Sequence, residues 1–199
     1  MEKTLTIAGP AGSLEARLTG PEAATRVAVL CHPHPLYGGS MDDMVLGVLA
    51  GALEKAGIAS LRFNFRGVGG SAGDHDGNGG EVDDLRAVIA AAGNELPGAS
   101  LTLGGYSFGA STVCRLLADA DPPILDQVLL VAPPVGNLPV PEPDGKVRVD
   151  VFAGDADAFV DQDALAAWQQ ANVHLLPGAD HFFAGHWQAL EAAIDTALS

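Results

Sequence analysis

Residues 100–120 read SLTLGGYSFGASTVCRLLADA. A strand pattern (100–106) runs into Ser107 and then into a stretch (108–120) whose apolar residues recur at helical spacing. Gly105-Tyr106-Ser107-Phe108-Gly109 fits G-x-S-x-G, and the strand–turn–helix setting is what a nucleophile elbow requires. The reason is steric. A turn sharp enough to lift a serine above the sheet leaves no room for side chains at Gly105 and Gly109. It also holds the serine in a sparsely populated backbone region. A helix starting at Phe108 points free N–H groups beside the hydroxyl, where a developing oxyanion would be stabilised. The competing reading is an ordinary βα turn with Ser107 as helix N-cap.

The flanking elements support a sheet that can carry such a turn. TLTIAG (4–9) and SLEARLTG (13–20) predict an antiparallel hairpin at one sheet edge. RVAVLCH (26–32) is apolar throughout, as a buried parallel strand is. Further strands are predicted at 58–65, 127–133, 147–154 and 173–178, and helices at 41–56, 81–93, 163–171 and 185–198. In the first helix Ser40 and Asp43 have capping-box spacing. A hairpin followed by alternating strands and helices predicts an α/β fold. Its sheet would be mostly parallel, of about eight strands, flanked by helices, with chemistry at the carboxyl ends of the strands.

The chain has 199 residues, enough for a single domain over 1–199. Its net charge of -15 repels phosphate backbones and anionic lipid heads, so neither nucleic acid nor membrane is an expected partner. No apolar run approaches the roughly 20 residues that span a bilayer. MEKTLTIAG enters a strand pattern at once, so a secretory signal is not expected. Cys31 and Cys114 read as buried thiols, not a disulfide, and a cytoplasmic location is expected.

A serine nucleophile needs a base, and the base needs an orienting carboxylate. On this type of sheet the chain order is Ser, acid, His. VFAGDADAFV (151–160) offers Asp155 and Asp157 after a late strand, and spacing alone does not choose between them. GADHFF (178–183) offers His181 after the last strand, with Phe182 and Phe183 as aromatic cover. His186 falls in the final helix, and His174 within a strand.

With these residues in place the chain resembles the α/β-hydrolase superfamily, and within it a small bacterial group of lidless, carboxylesterase-like serine hydrolases. The resemblance covers nearly the whole chain. It rests on LCHPHPLYGGSMDD (30–43), LRFNFRGVGGSAG (61–73), GNGGEVDDL (77–85), GGYSFGA (104–110), FAGDADAFV (152–160) and PGADHFF (177–183). It implies the α/β-hydrolase fold and a catalytic triad of Ser107, Asp157 and His181, the acid following from the pattern Gly154, Asp157, Val160. It also implies an oxyanion hole built from the backbone N–H groups of Phe108 and His34, although Pro33 stands where glycine is commoner.

Only fourteen residues, Pro133 to Lys146, separate the strands on either side of the place where relatives insert a helical cap. No cap domain is therefore expected. The site should be open and shallow, lined by Leu36, Tyr37, Tyr106, Phe108, Phe159 and Phe182. Such a site suits a small-molecule substrate, a short-chain ester or thioester, through an acyl-serine intermediate. Peptidase or amidase activity on the same residues and a non-enzymatic binding role are the alternatives. No cofactor is called for. His32-Pro33-His34 lacks a third metal ligand at any usual spacing. The glycines between 67 and 80 lack the Lys-Ser/Thr ending of a phosphate loop. Arg66 is expected to tie that loop to Glu81 or a nearby aspartate.

Overall fold

RVAVLC becomes strand β3 (Arg26–Cys31), and every residue from Val27 to Cys31 is buried. Burial on both faces requires helices above and below the strand. The computed structural model, which describes residues 1–77 and 79–199, supplies them. β1 (Glu2–Gly9) and β2 (Gly12–Thr19) pair antiparallel, with Ile7 opposite Leu14. β2 pairs antiparallel with β4 (Ala59–Phe63). From β4 onward all pairs are parallel, through β3, β5 (Ser100–Tyr106), β6 (Gln127–Val131), β7 (Arg148–Gly154) and β8 (Ala171–Leu176). The order across the eight-stranded sheet is β1-β2-β4-β3-β5-β6-β7-β8.

Helices α1 (Met44–Lys55) and α5 (Trp187–Leu198) pack together against the sheet. Helices α2 (Gly80–Glu95) and α3 (Phe108–Leu117) form a second packed pair. α4 (Gln162–Ala166) is a short turn between β7 and β8. Gly104 leaves room for two core leucines: a Cβ there would lie 2.7 Å from Leu30 Cδ2 and 3.1 Å from Leu49 Cδ2. A side chain there would force Leu30 and Leu49 to repack. Among the described residues no helix intervenes between β6 and β7.

Several helix ends differ from expectation: α3 stops at Leu117 rather than 120, α5 starts at Trp187 rather than 185, and α2 runs from Gly80 to Glu95. α1 begins at Met44, not Met41, and its N-cap is Asp43, whose Oδ1 accepts from Val45 and Leu46 N–H. The N–H of Met41 donates instead to Asn64 Oδ1 at 2.8 Å, a partner far along the chain. α4 ends at Ala166, because Ala171 is already paired in β8.

Arg66 closes the end of β4 onto α2. Its Nε and Nη2 donate to the two carboxylate oxygens of Asp84 at 3.0 and 2.8 Å, and its Nη1 to Asp76 at 3.2 Å. Asp84 is fully buried. The partners are thus two aspartates, with Glu81 nearby rather than bonded. Asp84→Ala leaves a buried guanidinium short of its main counter-charge. It is expected to cost about 3–5 kcal/mol in denaturant unfolding, whereas Arg66→Met with Asp84→Leu should cost far less.

Candidate active site

The strands β5, β7 and β8 run parallel, so the segments that follow them emerge on one rim. Ser107 follows β5 directly, with φ 54° and ψ -115°. Its N–H donates to Val131 O at 2.9 Å, tying the turn to β6. A Cβ at Gly105 would lie 2.5 Å from the main chain of Gly109, as the elbow requires. Gly109 is needed for a different contact, since its Cβ would lie 2.2 Å from Cys31 O. The start of α3 therefore lies against the loop after β3, which brings Phe108 beside His34, ring centroids 4.9 Å apart.

Ser107 occupies the N-cap position of α3, but its hydroxyl makes no capping bond. It lies 2.9 Å from His181 Nε2 instead. His181 Nδ1 is 2.8 Å from Asp157 Oδ2, and Asp157 Oδ1 accepts from Phe159 N–H at 2.8 Å. A carboxylate holding Nδ1–H leaves the Nε2 lone pair facing the serine hydroxyl. Asp155 is directed elsewhere: its Oδ1 accepts from Gly178 N–H at 2.6 Å. A Cβ at Gly154 would lie 1.9 Å from Ala179 O, so this glycine lets the end of β7 touch the loop that carries His181.

The loop after β3 folds tightly despite Pro33. His34 O accepts from Tyr37 and Gly39 N–H, and His34 Nδ1 accepts from Leu36 N–H. Among the described residues neither His34 N–H nor Phe108 N–H has a protein acceptor. One of these amides directly follows Ser107, and the other lies on the loop that Phe108 packs against.

A family model described as serine aminopeptidase, S33, matches residues 38–154. The uncharacterized protein RP471 of Rickettsia prowazekii is 33% identical, over 96% of this chain and 86% of its own. Among solved structures, XC6422 of Xanthomonas campestris, an α/β serine hydrolase without lid, is 36% identical at a TM-score of 0.89. The match covers 99% of this chain and 93% of that one. An α/β serine hydrolase homologue from Coxiella burnetii is 33% identical, also at 0.89, over 99% and 97% of the two chains.

The chain belongs to this family of α/β serine hydrolases.

The hydrolase exposes large apolar side chains on the loops that follow β3, β7 and β8. Leu36 (71%), Tyr37 (87%), Phe159 (51%) and Phe182 (60%) stand exposed. Phe159 and Phe182 cover the His181 ring at 4.7 and 5.6 Å. Two expectations are corrected here. Tyr106 does not line the site: it is buried in the core, and its hydroxyl donates to His181 O at 2.9 Å, supporting the histidine from below. Phe183 gives no cover, because its positive φ turns it into the core. His174 is also structural, stacked on Phe152 with Nε2 3.0 Å from Asp150. His186 sits at the N-cap of α5.

His32 opens the loop after β3, and its ring braces that loop. Its Nδ1–H donates to Pro33 O at 2.6 Å and its Nε2 accepts from Phe65 N–H at 3.0 Å. Both ring nitrogens are thereby occupied within the protein. No local signal could reveal this, since Phe65 lies on another strand end. Burial pushes the imidazole down from 6.5 to about 4, against the opposing bond to Pro33. A folded-state pKa below the unfolded one means that unfolding takes up a proton in the window between them. Stability from this group is complete above pH 6.5 and is lost as pH falls towards 4, by about 3 kcal/mol in all. Denaturant melts across that window should show this slope in the wild type, and a flatter one in His32→Gln.

Proposed function

We propose that this chain hydrolyses short-chain carboxylic esters or thioesters through an acyl-Ser107 intermediate. The observation that carries the reading is the hydrogen-bonded line Ser107 Oγ, His181 Nε2, His181 Nδ1, Asp157 Oδ2, with links of 2.9 and 2.8 Å, set on a strained elbow. Strain at a non-glycine residue persists only where the surroundings enforce it, and such residues cluster at reactive sites.

His181 removes the proton of Ser107 as the hydroxyl attacks the acyl carbon. The amides of Phe108 and His34 receive the carbonyl oxygen as it becomes an oxyanion. The proton held on Nε2 then passes to the leaving alcohol or thiol. Water next attacks the acyl-enzyme, again with His181 as base. Asp157 holds the tautomer and offsets the charge on the imidazolium. With no cap over the site, long acyl chains gain little burial, which favours short ones. The chemistry needs no cofactor.

The family description favours a second reading, peptide hydrolysis from the amino end. Amine leaving groups are poorer and need firmer anchoring of the substrate. A fluorophosphonate probe should label Ser107 in folded protein, and turnover of short acyl esters or thioesters should exceed that of matched amides. Labelling with faster amide turnover would establish the peptidase reading. Folded protein that takes no label would leave only a binding role on a hydrolase fold.

A further inference from the structure

Beside the loop after β3 lies a second imidazole–carboxylate pair that the acyl-transfer steps do not use. His75 sits in the glycine-rich segment between β4 and α2. Its Nδ1 is 2.6 Å from Glu81 Oε1 in the first turn of α2, a close contact off the ideal hydrogen-bond axis. The two side chains are 10% and 2% exposed. The second oxygen, Glu81 Oε2, has no hydrogen-bond partner among the described residues. Other groups also surround the pair. The Asp76 N–H reaches Glu81 Oε1 at 3.4 Å, and the Arg66 guanidinium, bonded to Asp84 and Asp76, acts on Glu81 from behind.

The His75 ring packs against two others, His34 at 4.9 Å and Phe108 at 5.6 Å, and those two are themselves 4.9 Å apart. These are the residues whose main-chain amides are assigned to the oxyanion. A buried, incompletely satisfied carboxylate is costly, and apolar side chains at 75 and 81 would close the same space without that cost. Packing alone therefore does not account for the pair.

We infer that His75 is a positioning residue for the oxyanion loop, held by Glu81 so that its ring fixes His34 against Phe108. The inference rests on the serine-hydrolase reading. Donors to an oxyanion act by standing in place before the charge develops, so a loosened loop weakens the transition state more than substrate binding.

The test uses the full chain carrying Glu81→Leu, a change that touches neither His34 nor Phe108, with Glu81→Gln as the conservative variant. Glu81→Leu is expected to lower kcat roughly 10- to 100-fold with KM within about two-fold, and to slow fluorophosphonate labelling of Ser107 in parallel. Its thermal midpoint should be unchanged or higher, since a buried carboxylate has gone, and Glu81→Gln should recover most of the rate. Independently of turnover, the amides of Tyr37 and Gly39, both bonded to His34 O, should exchange with solvent on the order of 10-fold faster in Glu81→Leu. Wild-type kcat and wild-type exchange in Glu81→Leu, or a loss confined to KM, would overturn the inference while leaving the hydrolase reading intact. A wild type that takes no label, with faster loop exchange in the variant, would defeat the hydrolase reading and leave the positioning of the loop standing.

Discussion

Ser107→Gly and Ser107→Ala should both abolish turnover, by a factor on the order of 10⁵, yet the glycine variant should be the more stable of the two. In the middle of a helix or strand glycine is the worse choice by about 0.5–1 kcal/mol, because it loses more backbone freedom on folding, whereas at a helix N-cap it is preferred to alanine. At Ser107 strain adds to that N-cap preference. Ser107 is held at φ 54° and ψ -115°, a conformation that costs a residue with a Cβ about 1–3 kcal/mol. Alanine keeps that cost and glycine removes it. Both lose the same bond to His181 Nε2, so the comparison reads the strain together with the N-cap preference for glycine over alanine. A pair of urea melts checks it. Alanine as stable as glycine or more so would mean that the elbow stores no strain, and that the reason offered for its glycine neighbours is incomplete.

The second large effect is at Asp157. Asp157→Asn should lower kcat on the order of 10⁴-fold at neutral pH with little change in fold. The side-chain amide would donate to His181 Nδ1 where the carboxylate now accepts. The ring proton would move to Nε2, and the nitrogen facing Ser107 would then be a donor, unable to take the hydroxyl proton. Asp155→Asn is the control. Among the described residues the Asp155 side chain accepts from the N–H of Gly178 alone, a bond the amide oxygen can keep, so turnover should stay near wild type. If Asp155→Asn proved the damaging change instead, the acid assigned here would be the wrong one.

The candidate site was legible in parts that differ by the range of the interactions. Ser107 stood out because its constraint is local: two glycines and a strand–helix change within a few residues explain each other. The choice between Asp155 and Asp157 was not open to spacing, because both follow β7 and only the loop after β8 decides which one meets an imidazole. Tyr106 read as an exposed aromatic beside a nucleophile, but the next-strand register turns it inward under His181. The bracing of the loop after β3 by His32, and the packing of His75 on that loop, had no sequence signature. His32 bonds to Phe65 beyond the end of β4, and His75 meets His34 from a different loop, so neither contact shows within a few residues of sequence.

Taken alone, the order of residues determined the alternation of strands and helices, the antiparallel hairpin at the edge, the tight turn at 107 and the short, helix-free passage between β6 and β7. These follow from periodicity and from steric limits on neighbouring backbone, which act within a few residues. Tertiary structure alone decided which carboxylate faces His181, which aromatics stand at the rim and what holds His34 in place. Those outcomes depend on strand register and on close backbone contacts, such as Gly109 on Cys31 and Gly154 on Ala179, between segments that only the folded sheet brings together.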